Sequence, residues 1–513
     1  MRAALVMAVC AACGRGESTR ASAPPAHDAV RIEVLAGDPG LRADEIETEL
    51  VGPIEEAVSR MPGLVAIHSE SRPGEARIEV ELTSVDPLGA TSAVRATLPV
   101  TQLPASAQAP IVKLAPGSVA LRYTLTSDTL SASQVRDLQD RVVGAAVERA
   151  AGIGDLDVCG ASPPRVLVQL DPPKLTAFGL AVGDVRTALR GNQADIQALG
   201  DVVVEKRNNV PVRLRDVAVI EQAAARLDCY AAVAAGRRIL VTVHATQGGN
   251  VAAARDAAQR ALAEAMRELP PGVTVEPLAP SRELIVALPS GDLNQRARVA
   301  DQIAKVPGAA LVAVTADRAT VFAQGDISAA ILNAVPSALA MPDDSDLVSI
   351  VIEGPDLDQL ATATAVAASA AGQVPGARLL PARPPMISTE RVTPDRAKAN
   401  ELGIAAPAIA EALHAATAGL PAGMVAGVPI EVKLRVEHLD EVRVLTKDRV
   451  AVPLSAIAAL ETREEPALIV RENRLRAARV QVHAHDKAAL QRVLAAVTLP
   501  PGYRLTTESR AAP

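Results

Sequence analysis

The chain has 513 residues and a formal net charge of −7; 49% of it is apolar, yet aromatic residues make up only 1%. Several domains fit in that length, with cores built from small aliphatic side chains and few rings: Tyr123, Tyr230, Tyr503, Phe178 and Phe322. An acidic chain without a basic stripe or stacking rings is a poor nucleic-acid binder, and no Gly-rich phosphate loop, GxSxG elbow or HExxH pair marks an enzyme.

The first residues, MRAALVMAVCAAC, have the outline of a secretory leader, with Arg2 as the positive start and an apolar stretch from Ala3 to Ala12. That stretch is shorter than the ~20 residues a spanning helix needs. Cys10-Ala11-Ala12-Cys13-Gly14 resembles a bacterial lipobox, with Cys10 where Leu is usual. Cys13 is therefore either a lipidation site or part of an ordinary cleaved leader. The following GRGESTRASAPPAHDA cannot bury a core and reads as a flexible tether. No later run has the uninterrupted apolar length of a membrane helix.

Val30, Ile32 and Val34 alternate with polar residues as a half-buried strand does. Helical periodicity follows from Arg42 to Met61, closed by Pro62-Gly63. Leu64 to Ser69 and Ala76 to Leu82 predict a hairpin, and Pro87 to Val100 with Ile111 to Leu114 a helix and a strand. A second unit starts with strand Val119 to Leu125 and helix Ser131 to Ala150, then strands Asp155 to Cys159 and Val166 to Leu170. The chain leaves through Lys174 to Asn192, returns at Leu240 to Ala245, and continues as a helix from Val251 to Leu269. The order restarts with strand Leu284 to Leu288, helix Leu293 to Val306, strands Ala310 to Val314 and Thr320 to Ala323, and helix Ile327 to Leu339. A fourth unit begins at Leu347 to Ile352.

The two halves repeat. LTAFGLAVGDVRTAL from Leu175 parallels AKANELGIAAPAIAEAL from Ala397, with Gly179 matching Gly403. VPVRLRDVAVIE from Val210 parallels VAVPLSAIAALE from Val450. VTVHA at Val241 parallels VQVHA at Val480, and LPPGV at Leu269 parallels LPPGY at Leu499. Four matches in the same order imply a duplicated two-unit module.

Gly40 to Leu82, with Pro53-Ile54-Glu55 in its helix, resembles the opening of the first periplasmic loop of the resistance-nodulation-division (RND) efflux family. Ala150 to Gln193, NNVPVRLRDVAVIE, MISTERVTPDRAKANELGIAAPAIAEALHAATAG and LPPGYRL resemble further parts of its two loops. The resemblance covers most of Val30 to Thr507 and is weakest between Ser281 and Asp346. It implies an α+β fold of four ferredoxin-like (split βαβ) porter subdomains in two tandem repeats, with short docking-type insertions. The expected divisions are a leader and tether at 1–29, porter subdomains at 30–118 and 119–283, a divergent third at 284–346 and a fourth at 347–513. Docking-type insertions are expected at about 181–225 and about 405–455, as the resemblance places them. Three features depart from the family. At Ser281 to Ile285 the chain passes directly into the next unit where family chains enter the membrane, so the charged membrane relay is missing. The stretch between Asn192 and Val210 is short where the family carries a long hairpin. Rings are too few for an aromatic drug pocket.

His483 and His485 sit two apart on one strand face, either a two-imidazole cation site or solvated strand-end histidines; His244, at the matching position, has no such neighbour. Met341, Met386 and Met424 are thioether candidates for a soft cation, or core filler, and Leu420 stands where the family has one methionine. Cys159 and Cys229 form either a disulfide or two buried thiols. Glu45, Glu47, Glu49, Glu55 and Glu56 are expected to solvate a helix surface. The resemblance implies a periplasmic or cell-envelope protein held to a membrane by at most a lipid, with no cofactor. It would bind a small molecule or cation, or RND pump, adaptor or outer-membrane channel subunits. The alternative is a stand-alone solute- or metal-binding lipoprotein.

Overall fold

The computed structural model describes residues 29–509 apart from 39–40, 85, 105–106, 191–194, 208, 225–226, 228, 280, 289–292, 316–317, 337–338, 342–346 and 380–385. The first unit runs β1 (Ala29–Gly37), α1 (43–58), β2 (Leu64–Arg72), β3 (Glu75–Thr83), α2 (Pro87–Thr97) and β4 (Ile111–Leu114). Its strands lie antiparallel in the order β4–β1–β3–β2. Val30, Ile32, Val34 and Ala36 alternate inward along β1 and meet Ile46, Leu50, Ile54 and Val58 of α1, spaced along one helix face. Asp86 caps α2 by accepting from Gly89 N at 3.0 Å, with Pro87 in the first turn.

The second unit begins with β5 (Val119–Ser127), α3 (132–148) and β6 (Ile153–Cys159). An excursion follows through β7 (Pro164–Leu170), α4 (Pro172–Phe178), α5 (Val182–Arg190), β8 (Val203–Arg207), β9 (Val210–Arg213), α6 (Leu214–Val217), β10 (Ala218–Ala224), β11 (Tyr230–Val233) and β12 (Gly236–Arg237). The unit closes with β13 (Ile239–Ala245), α7 (Val251–Ala265) and β14 (Val273–Pro277). Its sheet order, β14–β5–β13–β6, repeats the first.

The third unit is β15 (Arg282–Ala287), α8 (Leu293–Ile303), β16 (Ala309–Val314), β17 (Ala319–Ala323), α9 (Ser328–Ala334) and β18 (Leu339–Met341). Its helix α9 stops short of the expected Leu339, which opens a strand instead. Pro336 disfavours helical backbone at Val335 and ends the helix there. β11 and β12, from the excursion of the second unit, add to this sheet through β16.

The fourth unit starts with β19 (Leu347–Gly354), α10 (Leu357–Ala371) and β20 (Arg378–Leu379). Its own excursion holds β21 (Met386–Pro394), α11 (Arg396–Glu401), α12 (Ala406–Thr417), β22 (Leu420–Val425), β23 (Val428–Leu434), β24 (Arg443–Leu445), β25 (Ala451–Pro453), α13 (Leu454–Ile457) and β26 (Ala458–Pro466). It closes with β27 (Ile469–Glu472), β28 (Leu475–His483), α14 (Lys487–Ala495) and β29 (Arg504–Ser509). Because β27 pairs with β2, the first and fourth units share one nine-stranded sheet.

The two excursions build one inserted layer. Its main sheet is β10–β7–β23–β22, with β7 and β23 parallel. The strand Val166 to Leu170, read with the second unit from sequence, thus belongs to this layer. A single apolar core unites Val168, Leu170, Val185 and Leu214 from one half with Ile409, Ala412, Val432 and Leu454 from the other. The halves also repeat in detail. Asp171 N donates to Val217 O and Asp395 N to Ile457 O; Leu180 N donates to Leu175 O and Ile404 N to Ala399 O. Gly179 and Gly403 both turn the chain with left-handed φ, +56° and +64°. The four sequence parallels fall on matching elements.

Among the described residues no helix is long and apolar enough to cross a membrane.

Candidate functional site

The most elaborate polar constellation lies on the seam between the first and fourth units. Helix α1 contains a π-turn, Glu47–Val51, the kind of bulge that re-aims side chains inside a helix. Glu47 and Glu55 are buried. Arg471 Nη1 donates to Glu47 at 2.7 Å and its Nε to Glu55 at 3.0 Å. Arg476 Nε and Nη2 straddle the Glu47 carboxylate at 2.8 and 2.7 Å, a two-point geometry that fits guanidinium to carboxylate. Ser69 Oγ completes Glu55. Burial alone would raise Glu47, but hydrogen bonds from Arg476 and Arg471 hold it below the usual carboxylate range. The acidic helix face expected to be solvated is therefore partly wrong: Glu47 and Glu55 point into the seam, because arginines from a distant hairpin meet them there.

That hairpin turns at Asn473 and Arg474, both with positive φ. Asn473 N donates to Ile67 O at 2.7 Å, and Ile67 N donates back to Asn473 Oδ1 at 3.1 Å. Beside it, His68 Nδ1 lies 2.9 Å from Glu472 and His68 Nε2 lies 3.7 Å from Glu70. Burial would lower His68, but its hydrogen bond to Glu472 and the nearby Glu70 carboxylate prevail and raise it to about 9. Glu70 is drawn down to about 2, first by His68 and against burial, with Arg72 assisting.

The first and second units are joined differently. Gln247 accepts from Arg31 N at 2.9 Å and donates to Arg31 O and Ala115 O at 2.6 Å, imitating a strand neighbour of β1. Lys113 bridges Asp155 at 2.5 Å and buried Glu33 at 3.4 Å. Between the second and third units, Leu240, Ala231, Leu311 and Phe322 fill the seam. Arg122 stacks over Phe322 at 4.9 Å and pairs with Glu283 at 2.7 Å.

Two openings stand out. A shallow groove of about 380 Å³ in the first unit lies between α1 and α2, lined among others by Ala57, Met61, Leu82, Gly89 and Ala93. A narrow cavity of about 60 Å³ in the inserted layer lies between Leu175, Leu180, Glu411 and Val444. The groove reaches the volume of small-ligand sites; the cavity has room for only a few waters.

Cys13 lies outside the described residues. Cys159 and Cys229 are joined in a disulfide, Cα atoms 5.1 Å apart, linking the end of β6 to the start of β11. His483 is buried, and its ring meets His485 edge to face at 4.8 Å. His244 instead bonds Asp157 at 2.9 Å and Gly117 O at 3.0 Å. Met341, Met386 and Met424 sit on β18, β21 and β22, strands of three separate sheets, and Met424 is exposed. Leu420 is buried at the start of β22. Among the described residues no group of three or more His, Cys, Asp or Glu side chains could hold a metal ion. Sequence reasoning missed Arg471 and Arg476, since nothing local shows that an arginine on one hairpin will meet a glutamate in the other half.

The sequence model of the AcrB/AcrD/AcrF family matches this chain over residues 4–198 and 300–511. The first block spans the first unit and enters the inserted layer; the second runs from α8 into β29 and past it.

Proposed function

The chain belongs to the AcrB/AcrD/AcrF family of RND efflux permeases, and from that membership we propose that it works by binding within an envelope efflux system. The four units would be ferredoxin-like porter subdomains, divided near residues 118, 283 and 346, and the inserted layer would be the docking portion. The repeated strand order and the match to both halves support this reading. Energy for transport would come from partner subunits, with this chain holding a small solute or docking on a pump, adaptor or outer-membrane channel. Its place would be the periplasm or envelope, tethered through Cys13. Any solute would rest on aliphatic and polar contacts, as the lining of the first-unit groove supplies. Deleting the gene and measuring drug and metal tolerance tests the proposal, with pull-down of the tagged chain for partners. Unchanged tolerance to both panels, with no adaptor or pump subunit captured, overturns it.

A second reading, a stand-alone solute- or metal-binding lipoprotein, draws on the close imidazoles of His483 and His485. Calorimetric titration with copper or zinc separates the two. A 1:1 site lost in His485→Ala would favour the second.

A further inference from the structure

The first and fourth units share one sheet, while the second and third are tied by β11, β12 and the seam around Phe322. The chain first passes between these two pairs at Ala115 to Ser118, the link from β4 to β5. All four carbonyls of that link are engaged. Gln247 Nε2 donates to Ala115 O at 2.6 Å, Arg31 Nη2 to Pro116 O at 3.3 Å and Ala245 N to Ser118 O at 2.9 Å. His244 Nδ1 lies 3.0 Å from Gly117 O. Three of these four partners come from the end of β13 and the turn after it. A Cβ at position 117 would run into the Ala245 carbonyl, so glycine is what lets the link lie against β13. Of the four partners, only the imidazole titrates near neutrality. Its other nitrogen, Nε2, is 2.9 Å from the Asp157 carboxylate. Both ring nitrogens thus face acceptors, and a neutral imidazole can donate to only one of them.

We propose that His244 is the releasable member of a clamp on this link, holding the first and second units at a fixed angle while its ring is protonated and letting the link pivot when the proton leaves. The single proton of the neutral ring stays with the stronger acceptor, the carboxylate. The Nδ1 lone pair then faces the Gly117 carbonyl, and that bond is lost. The groups around the ring agree on the direction. β6 sets Asp155 opposite His244 in the strand pair and Asp157 against Nε2, and both carboxylates favour the imidazolium. The cations on neighbouring strands are engaged elsewhere: Lys113 of β4 with Asp155 and Glu33, Arg77 of β3 with Glu33, and Arg31 of β1 with Glu79 and the link itself. β5 places uncharged Val119 opposite the ring. The bond to Asp157 is the largest influence and, with the Gly117 carbonyl, raises His244 above the ordinary imidazole value against burial. A histidine raised on folding contributes fully below its unfolded value and loses that contribution as pH rises through the folded one. Alkali therefore opens the clamp. Lys113 is itself raised and stays charged, so its bridge to Asp155 keeps the two units in contact as the link loosens. Each unit keeps its own core, so the change stays in the link and does not enter global unfolding.

Hydrogen exchange on the full chain at about pH 6 and about pH 9, corrected for intrinsic rates, reads the clamp through the amides of Arg31 and Ala245, which bond Gln247 and Ser118. Their protection should fall with rising pH by up to about tenfold for each unit that separates the folded and unfolded values of His244. His244→Gln should show no such fall, and His68→Gln should keep it. Unchanged protection in the natural chain, or an equal fall in His244→Gln, overturns the proposal. Should His244→Gln fail to fold, Asp157→Asn decides, because Asp157 is exposed and its carboxylate is what favours the charged ring. The fall should then begin at lower pH than in the natural chain. An onset at the same or a higher pH overturns the proposal.

Discussion

Arg471 donates to Glu47 at 2.7 Å although the two are 424 positions apart in the chain. Both are largely removed from water, and Glu47 also takes Arg476. Without Arg471, Glu47 keeps Arg476, but buried Glu55 loses its guanidinium partner and is left with Ser69, and removing one partner of a buried pair costs about 3–5 kcal/mol. Arg471→Ala should therefore open the seam between the first and fourth units. Urea unfolding followed by protection of β2 and β27 reads this, and a Glu47→Gln, Arg471→Ala double variant should lose less than the sum of the singles. Strict additivity would mean that the two do not interact.

His68 makes the same seam sensitive to alkali. Its folded value of about 9 stands above the ordinary 6.5. Its contribution is thus complete below about 6.5 and lost as pH rises through about 9. Allowing for its partial exposure, the loss should be about 1–2 kcal/mol between about pH 6 and about pH 10. Glu70, lowered to about 2, acts at the other end: its contribution is complete above the usual carboxylate value and fades as pH falls through about 2. Urea melts across pH should show the alkaline loss in the natural chain but not in His68→Gln. A parallel slope in the variant would assign the effect elsewhere.

Local patterns gave away the elements but not their partners. Alternation in β1 and the spacing of Ile46, Leu50, Ile54 and Val58 were legible because each reflects the face of one element. The repeat anchored by Gly179 and Gly403 was legible because both turns need left-handed backbone. The pairing of β2 with β27, the loan of β11 and β12 to the third sheet, and the placing of β7 in the inserted layer were not. Periodicity tells which side of a strand is buried and says nothing of which strand lies beside it. Glu47 and Glu55 were misread for the same reason, since charge on a helix reads as solvated until its counter-ions are placed.

The disulfide should matter most to the lent strand. Cys159 and Cys229 close a loop across 70 positions, for which chain entropy gives about 4 kcal/mol. Tyr230, next to Cys229, donates to Asp301 of α8 at 2.5 Å and anchors β11 to the third unit. Reduction, or Cys159→Ala with Cys229→Ala, should raise exchange in β11 and β12 before the rest of the second unit opens. Uniform loosening of the whole unit would show that the bond supports the unit rather than its excursion.

Gly179 turns α4 into α5 with φ of +56°, and a Cβ there would press on the Arg207 guanidinium. Gly179→Ala should cost about 1–2 kcal/mol from backbone strain alone. Arg207 and Arg449 both donate to the Gly179 carbonyl, at 3.4 and 3.1 Å, so the substitution should also disturb contacts from both halves. Gly403→Ala, at the matching turn, meets the Lys447 stem instead. If Gly179→Ala melts no lower than the natural chain, the close packing of that turn is not a constraint.

The first-unit groove offers the most direct check on solute binding. Ala93 is an exposed position of α2 on its lining, where a larger apolar side chain should change stability by no more than about 0.5 kcal/mol. Ala93→Leu would nevertheless take up room in a groove of about 380 Å³. If solutes rest there, cells carrying Ala93→Leu should become as drug- or metal-sensitive as the deletion strain, while thermal melting and partner capture stay unchanged. Ala496→Leu, beyond the end of α14 on the fourth unit and also exposed, is the matched control. Full tolerance in the Ala93→Leu strain would move the binding function away from the groove and onto the docking surfaces, because the substitution fills the lining without disturbing the seams that hold the units together.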